Sequence, residues 1–323
     1  MKYLSLNEYL QREFGCKVYK LAIDGGFTCP NRDGTLGSRG CIFCSGYGSG
    51  DFASSRKLSI TEQIESAKER VSGKIKDGKY IAYFQAFTNT YAPASELRSK
   101  FSEAINHPDI AAISIGTRPD CLPKDVLDLL EELNMIKPVW VELGLQTVHE
   151  SSAEFIRRGY KLGVYDKAVK ELHERGIYVV THVILGLPGE TEDMMLDTVR
   201  YVCNLGTDGI KLQLLHIIKG TDLADLFMHM GDRPLSAREC ERGTDPYPAR
   251  ECEGGTDPYP EAKMHKGTDP YPEIRVMELD EYAALIRKCV EIIPDNIAIH
   301  RLTGDGDKKT LLAPLWSGDK KRV

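Results

Sequence analysis

No apolar run in this 323-residue chain approaches the roughly 20 residues of a membrane-spanning helix. The opening stretch, MKYLSLNEYLQREFGC, mixes polar and apolar residues and lacks the continuous apolar segment of a secretory signal. Both absences lead to the expectation of a cytoplasmic protein with no membrane partner. Positive charge is not in excess either: 42 Lys and Arg stand against 48 Asp and Glu, for a net charge of -6. That balance excludes a global polycation and leaves any nucleic-acid contact to local basic patches. No histidine precedes His107. The early part of the chain therefore lacks the commonest nitrogen ligand for metals. Nine cysteines (Cys16, Cys29, Cys41, Cys44, Cys121, Cys203, Cys240, Cys252 and Cys289) form an odd set with one tight cluster. In a reducing compartment this argues against a disulfide framework and for metal or redox chemistry.

What is present is ordinary for a globular enzyme: 41% hydrophobic and 28% charged residues. Strand-like apolar runs recur at 17–26, 79–87, 109–117, 137–147, 177–189 and 208–220. Amphipathic helix patterns separate them. One opens at Ser59 or Thr61 as N-cap, and one carries Leu122, Val126, Leu127, Leu129, Leu130 and Leu133 as a stripe. Another ends at Gly176, a C′ glycine. Six strand–helix repeats with near-continuous apolar strands predict a parallel α/β sheet covered on both faces. A doubly wound sheet and a barrel both fit this pattern. Polar or glycine-rich clusters (DGG, FTNTY, GTRPD, LGLQT, GLPGE, HIIKGT) end nearly every strand. Active sites of βα barrels gather at those ends, so the expected fold is a partial (βα)6 TIM-like barrel of parallel strands. Three copies of a twelve-residue unit ending in GTDPYP occupy 237–272. Their prolines exclude helix and central strand, and their composition buries no core, so a disordered insertion is expected. Two of the copies carry Cys240 and Cys252, a set of ligands for a metal or partner tether, and the third has Met264 in that place. A helix at 277–294 and a strand and loop at 296–307 complete a C-terminal extension. The expected division is 1–236 (barrel), 237–272 (repeats) and 273–323 (helix–strand extension packing on the barrel).

The segment CPNRDGTLGSRGCIFC places Cys29, Cys41 and Cys44 at C-x11-C-x2-C spacing. Closed structural zinc wants four ligands, and three are supplied here. Cys16 lies in or before a strand. An iron–sulfur cubane normally takes four thiolates, and three would leave one iron open to an external chelate. The loop is rich in glycine, which lets backbone wrap closely, and Phe43 would shield a cluster apolarly. Zinc and iron–sulfur both remain open on these residues alone.

A three-cysteine loop after the first strand of a six-unit βα chain resembles the radical S-adenosylmethionine (SAM) superfamily. The long first gap is similar to that of the Elongator subunit three branch. Closer still is the YhcC/YtqA-type family, through DGGFTCPNRDGTLGSRGCIFC, YFQAFTNTYAP, ISIGTRPDCLP, VELGLQTVHE, GLPGET, KLQLLHIIKGT and IHRLTGDG. The resemblance implies a [4Fe-4S] cluster on Cys29, Cys41 and Cys44 with one iron open to SAM. It implies reductive cleavage of SAM to a 5′-deoxyadenosyl radical, which takes a hydrogen from the substrate. Phe43, Gln85 and Asn89 are then expected near the cofactors, with Gln85 to Asn89 meeting the methionine moiety. Arg118 pairs with the SAM carboxylate, a substrate phosphate or Asp120. Glu142 and Gln146 share one face of a strand that ends at the site, and both are expected at the cofactor, with Gln146 reaching the ribose or substrate. Gly186 and Gly189 offer backbone to adenine. Cys121 is a hydrogen-atom donor or a buried thiol, and His216 a substrate contact or a core histidine. Arg158-Gly159-Tyr160 departs from the Arg-Gly-His of the Elongator-like group.

Relatives of this kind imply tRNA, at the wobble uridine, as substrate and a flavodoxin- or ferredoxin-type electron donor. The basic stretches Arg56-Lys57, Arg157-Arg158 with Lys161, and Lys320-Lys321-Arg322 are candidate phosphate contacts. Two alternatives stand beside this reading: a radical SAM enzyme acting on a small metabolite or protein, and a non-catalytic zinc-binding nucleic-acid module.

Overall fold

In strands, successive side chains point to opposite faces, so each run of this chain has to satisfy two environments at once. The computed structural model describes residues 3–48, 50, 53–74, 78–231, 272–304, 306 and 308–319. The strands are β1 (Lys17–Ile23), β2 (Gly78–Phe84), β3 (Ile110–Thr117), β4 (Val139–Gln146), β5 (Tyr178–Leu185), β6 (Gly209–Leu214), β7 (Ile217–Ile218), β8 (Ala298–Arg301) and β9 (Leu311–Ala313). The helices are α1 (Leu6–Phe14), α2 (Ile60–Val71), α3 (Ala94–Ile105), α4 (Lys124–Asn134), α5 (Glu150–Phe155), α6 (Leu162–His173), α7 (Glu192–Leu205), α8 (Asp222–Gly231) and α9 (Leu279–Ile292). Seven parallel strands form one sheet in the order β1-β2-β3-β4-β5-β6-β8. The sheet curls into the expected partial TIM-like barrel. The six anticipated strands are all present. The C-terminal extension adds a seventh, because the apolar segment at β8 pairs with the free edge of β6. The tandem repeat with Cys240 and Cys252 lies outside the described residues, apart from its last residue, Pro272.

Outward-facing residues of the sheet (Leu21, Ile23, Phe84, Ile115, Leu143, Val183, Leu212) pack against the apolar stripes of the helices in one core. Each such side chain taken fully from water contributes about 1.5–3 kcal/mol. Helix boundaries follow their caps. Ser59, not Thr61, caps α2: its Oγ accepts from Glu62 N at 3.1 Å, while Glu62 Oε2 accepts from Ser59 N at 2.8 Å. Gly176 takes φ +65° just past α6.

Inward-facing residues form three levels. The lowest is apolar: Val18, Ile81, Ala112 and Trp140 close on Leu10 of α1. Tyr9 of α1 packs its edge on Trp140 at 5.8 Å, so α1 plugs this end, and Cys16 packs there too. The middle level is Lys20, Tyr83, Ser114, Glu142, His182 and Lys211, joined in one polar network. The upper level, at the carboxyl ends of the strands, is Gln85, Gly116, Gly144, Gln146, Ile184 and Gln213, and it opens into a cavity. Below, the chain clasps itself: Ile299 N of β8 donates to Leu4 O at 2.8 Å beside a Ser5–Ile299 bridge. Among the described residues no helix is long and apolar enough to cross a membrane.

Candidate active site

The loop after β1 is sewn to its surroundings by its own backbone and two side chains. Cys29 O accepts from Arg32 N at 2.8 Å and Asp33 N at 3.1 Å. Gly40 N donates to Asn31 O at 2.7 Å. Gly40 holds φ +77°, and a Cβ there would lie 2.8 Å from Arg32 Nε. The space is needed because Arg32 Nη2 donates to Cys44 O at 2.8 Å and Ser45 O at 2.7 Å. Ile42 is buried, and its backbone bonds Ile156 O at 3.3 Å and Leu223 N at 2.9 Å. The Cys41-Ile42-Phe43-Cys44 turn is thereby pinned from both sides.

Cys29, Cys41, Cys44 and Phe43 line a cavity of about 330 Å³ over the carboxyl ends of the strands. Burial, then the neighbouring Cys44, pushes the Cys41 thiol up to about 11. Asn31 Nδ2 lies 3.5 Å from Cys41 Sγ and also donates to Arg157 O at 2.8 Å. Thiols held this high ionise at neutral pH when a metal cation replaces the proton. Three thiolates facing one space are a soft donor set that selects zinc, copper(I) or iron–sulfur centres. Among the described residues the trio with ligand atoms all within 4.8 Å of one another is Glu65, His107 and Asp109, not the three cysteines. Around one zinc, sulfurs would sit about 3.8 Å apart. The three cysteine sulfurs do not all lie within 4.8 Å of one another.

The structure brings Gln85, Arg118, Glu142, Gln146 and His216 to the same cavity. Gln146 adopts φ +71°, costly for a residue with a Cβ, and its buried Oε1 has no partner. Phe87, also on the cavity, has φ +60°, and Arg157, whose carbonyl abuts Cys41, has φ +57°. Strained backbone thus surrounds the cysteines. His216 is packed by the C-terminal loop: a Cβ on Gly304 or Gly306 would fall 3.0 or 3.1 Å from its ring.

Arg118 is buried and gives both arms of its fork to Asp120, at 2.9 and 2.7 Å, with its face 5.2 Å from the Tyr160 ring. Of the three partners anticipated for it, Asp120 is the one the fold supplies. Tyr160 donates its hydroxyl to Gly144 O, and Arg158 Nη1 donates to Thr147 O at 2.6 Å. Arg158-Gly159-Tyr160 therefore braces the turn after β4.

Three sets of expected residues lie off the wall of this cavity. Asn89 is fully buried and does not line the cavity; its Nδ2 ties Phe84 O at 3.1 Å to Gly116 O at 2.8 Å, locking the ends of β2 and β3. Cys121 is also absent from the cavity wall, and burial pushes its thiol up to about 12. Gly186 and Gly189 face a separate crevice of about 160 Å³ with Glu190, Arg275 and Met277. Both glycines of the turn after β5 line this crevice and not the cysteine cavity.

Sequence reading missed the ionic middle level. Glu142 was expected to face a cofactor, and its carboxylate is already saturated. Oε1 accepts from Lys20 Nζ at 2.6 Å and Ser114 Oγ at 2.6 Å. Oε2 accepts from Lys211 Nζ and from His182 Nε2, the latter at 2.7 Å. Burial opposes the Glu142 charge, but Lys20 and Lys211 outweigh it and hold the carboxyl well below its usual range. Burial brings Lys211 down to about 7 and, with Lys211 beside it, His182 down to about 4. The available signal was a lysine on the inward register of two apolar strands, KVYKLAI and GIKLQL.

The basic stretches are largely paired. Arg56 meets Asp24 at 3.3 Å, Arg157 meets Asp222, and Lys161 meets Glu154 at 2.6 Å. Lys320-Lys321-Arg322 lies outside the described residues.

Two family profiles match the chain: the radical SAM superfamily over residues 34–202, and the radical SAM C-terminal domain over residues 270–323. YtqA of Bacillus subtilis is 42% identical over 322 residues, covering 100% of this chain and 87% of YtqA. YhcC of Escherichia coli is 35% identical over 95% of this chain and 85% of its own length. More distantly, a protein named tRNA uridine(34) acetyltransferase from Methanocaldococcus jannaschii is 28% identical over 48% of this chain and 28% of its own length. Among solved structures, the archaeal Elp3 of Methanocaldococcus infernus superposes with TM-score 0.59 at 15% identity, over 91% of this chain and 58% of that one, a likeness of fold. Radical SAM proteins use a [4Fe-4S] cluster and SAM, and the chain belongs to this superfamily of enzymes, in the family of YtqA and YhcC.

Proposed function

We propose that Cys29, Cys41 and Cys44 hold the cluster and that the cavity above the strands is the chamber in which SAM and substrate meet. The observation that carries this reading is the convergence of three thiols, on a loop pinned by Arg32, Asn31 and Ile42, upon one cavity. Among the described residues no fourth cysteine lines it. When bound, the cluster supplies the electron that cleaves SAM. The remaining work falls to the chain. Arg32 and Asn31 fix the loop so that the three sulfurs keep their spacing. Gln146, with its unpaired Oε1 and strained backbone, and Gln85 offer polar contacts to the bound molecules. Phe43 and Phe87 keep water from the thiols. The division into a catalytic unit 1–236, the repeats 237–272 and a segment 273–323 belongs to the same proposal. So does a flavodoxin- or ferredoxin-type electron donor.

For the substrate we infer tRNA, modified at the wobble uridine. Support comes from the distant relative named for tRNA uridine 34 and from the Elp3-like fold. Anaerobic reconstitution with iron and sulfide, followed by SAM and dithionite, is expected to give a brown protein that releases 5′-deoxyadenosine. A colourless protein holding one zinc would sink the cluster assignment. Mass spectrometry of tRNA nucleosides from a deletion strain then tests the substrate: an altered wobble-uridine profile is expected, and an unchanged one counts against tRNA.

A further inference from the structure

The end of α5 delivers two backbone carbonyls to the cysteine loop. Arg157 N donates to Glu154 O and Arg158 N to Ala153 O, both at 2.9 Å. These are the paired bonds of a Schellman ending, with Arg157 in the left-handed position that glycine usually takes. Arg157 O thereby comes to 3.7 Å from Cys41 Sγ. Beside a thiol this contact is favourable, because S–H can donate to the carbonyl. Beside a metal-bound thiolate it is not, because sulfur and oxygen then both carry negative charge and neither can donate.

Asn31 touches both atoms. Its Nδ2 reaches Arg157 O at 2.8 Å, Arg158 O at 3.4 Å and Cys41 Sγ at 3.5 Å. The two carbonyls fix which way the amide lies, since only its NH2 end can donate to them. Oδ1 is then directed at Gly159, where a Cβ would fall 2.9 Å from it. Gly159 holds φ +84°, and its missing side chain is what leaves room for this orientation. Asn31 is itself buried, and its backbone carbonyl is held by Gly40 N at 2.7 Å. One N–H is spent on Arg157 O. The other lies between Arg158 O and the Cys41 sulfur, and it becomes a charge-assisted bond when that sulfur is a thiolate.

We propose that Asn31 is a positioning residue that acts through Cys41: its amide donates an N–H···S bond to the thiolate and so raises the reduction potential of the centre that Cys41 holds. Hydrogen bonds to the sulfurs are among the levers that set such potentials, because they draw charge from the ligand and favour the reduced state. Gly159 serves the same end by leaving the amide in the donating orientation, which gives the Arg158-Gly159-Tyr160 segment a second task beside bracing the turn after β4. The inference rests on the reading of Cys29, Cys41 and Cys44 as the cluster ligands.

The test is a reductive titration of the anaerobically reconstituted full chain, followed by the electron paramagnetic resonance signal of the reduced cluster. Asn31→Leu keeps the side chain's size and removes its donor. Its midpoint is expected to shift to a more negative potential than the wild type's, with iron and sulfide per chain and far-UV circular dichroism unchanged. Gly159→Ala is expected to shift the midpoint in the same direction by less, since it displaces the amide without deleting it. An iron-loaded Asn31→Leu protein whose midpoint is unchanged or raised overturns the proposal. If that variant holds no iron, Gly159→Ala is judged by the same criterion. Loss of iron in both makes the side chain a brace of the loop alone and overturns the proposal as well. The wild type separates this inference from the reading beneath it. A wild type that takes up no iron–sulfur centre removes the cluster assignment and this inference with it. A wild-type cluster whose midpoint Asn31→Leu does not move removes the inference and leaves the assignment standing.

Discussion

Outward from the sheet, Leu21, Ile113, Leu143 and Val183 meet helices in an unbroken apolar core. Inward, one residue away on the same strands, Lys20, Ser114, Glu142 and His182 meet one another. The outward face gains from burial and tolerates variation in shape at modest cost. The inward face buries charge, where loss of a single partner leaves another stranded. The strands thus separate stability from chemistry by the parity of their residues.

Substitutions can break this contrast, and the largest effect is expected at the top of the inward face. Cys41→Ser removes one of the three thiols, and 5′-deoxyadenosine production should fall to background while far-UV circular dichroism is retained; substantial turnover in this variant would remove Cys41 from the cluster. Next comes Glu142→Gln, which strands two lysines and should cost about 3–5 kcal/mol by urea unfolding. Combining it with Lys20→Met and Lys211→Met should recover much of that loss, and a triple variant no better than the single would mean the charges are not coupled. On the outward face, Leu143→Ala should cost about 2–5 kcal/mol through the cavity it leaves. SAM cleavage per folded molecule should hold, and a specific loss of turnover would show that the two faces are not independent.

A smaller effect follows from pH. His182 has a folded pKa of about 4, below the ordinary 6.5. As pH falls through 6.5 the unfolded chain takes up a proton that the folded protein refuses until about 4, so stability drops across that window. The loss is on the order of 2–3 kcal/mol. Urea midpoints between pH 6.5 and 4.5 should slope downward in the wild type and flatten in His182→Gln; equal slopes would rule out this source. Smallest is Ser59→Ala, which removes the α2 cap for about 1 kcal/mol and should leave SAM cleavage untouched.

The sequence displays the outward face openly, because every third or fourth helical residue and every second strand residue there must be apolar. The helix stripe from Leu122 to Leu133 and the strand runs were readable for that reason. The cysteines were readable because their ligand spacing is local. The ionic level was not: Lys20 and Glu142 are 122 residues apart, Glu142 and Lys211 are 69, and they meet through the stagger of the barrel. Arg32 was passed over for a different reason: its work is done on the backbone carbonyls of Cys44 and Ser45, which no side-chain pattern announces. Asn89 shows the converse, a polar residue at a strand end whose amide N–H groups are spent on the strands themselves. Gly186 and Gly189 carried a legible turn, but the crevice they line is completed by Arg275 and Met277, far along the chain.

The clasp between Leu4 and Ile299 sets an order on the making of this protein. Leu4 leaves the ribosome long before its partner in β8, and domains generally fold as they are synthesised, amino end first. The α1 plug can seat against Trp140 once β4 exists, yet the seam beside it stays open until β8 arrives. Until then the edge of β6 and the lysines of the inward face remain exposed, so the chamber is sealed only by one of the last strands to be made.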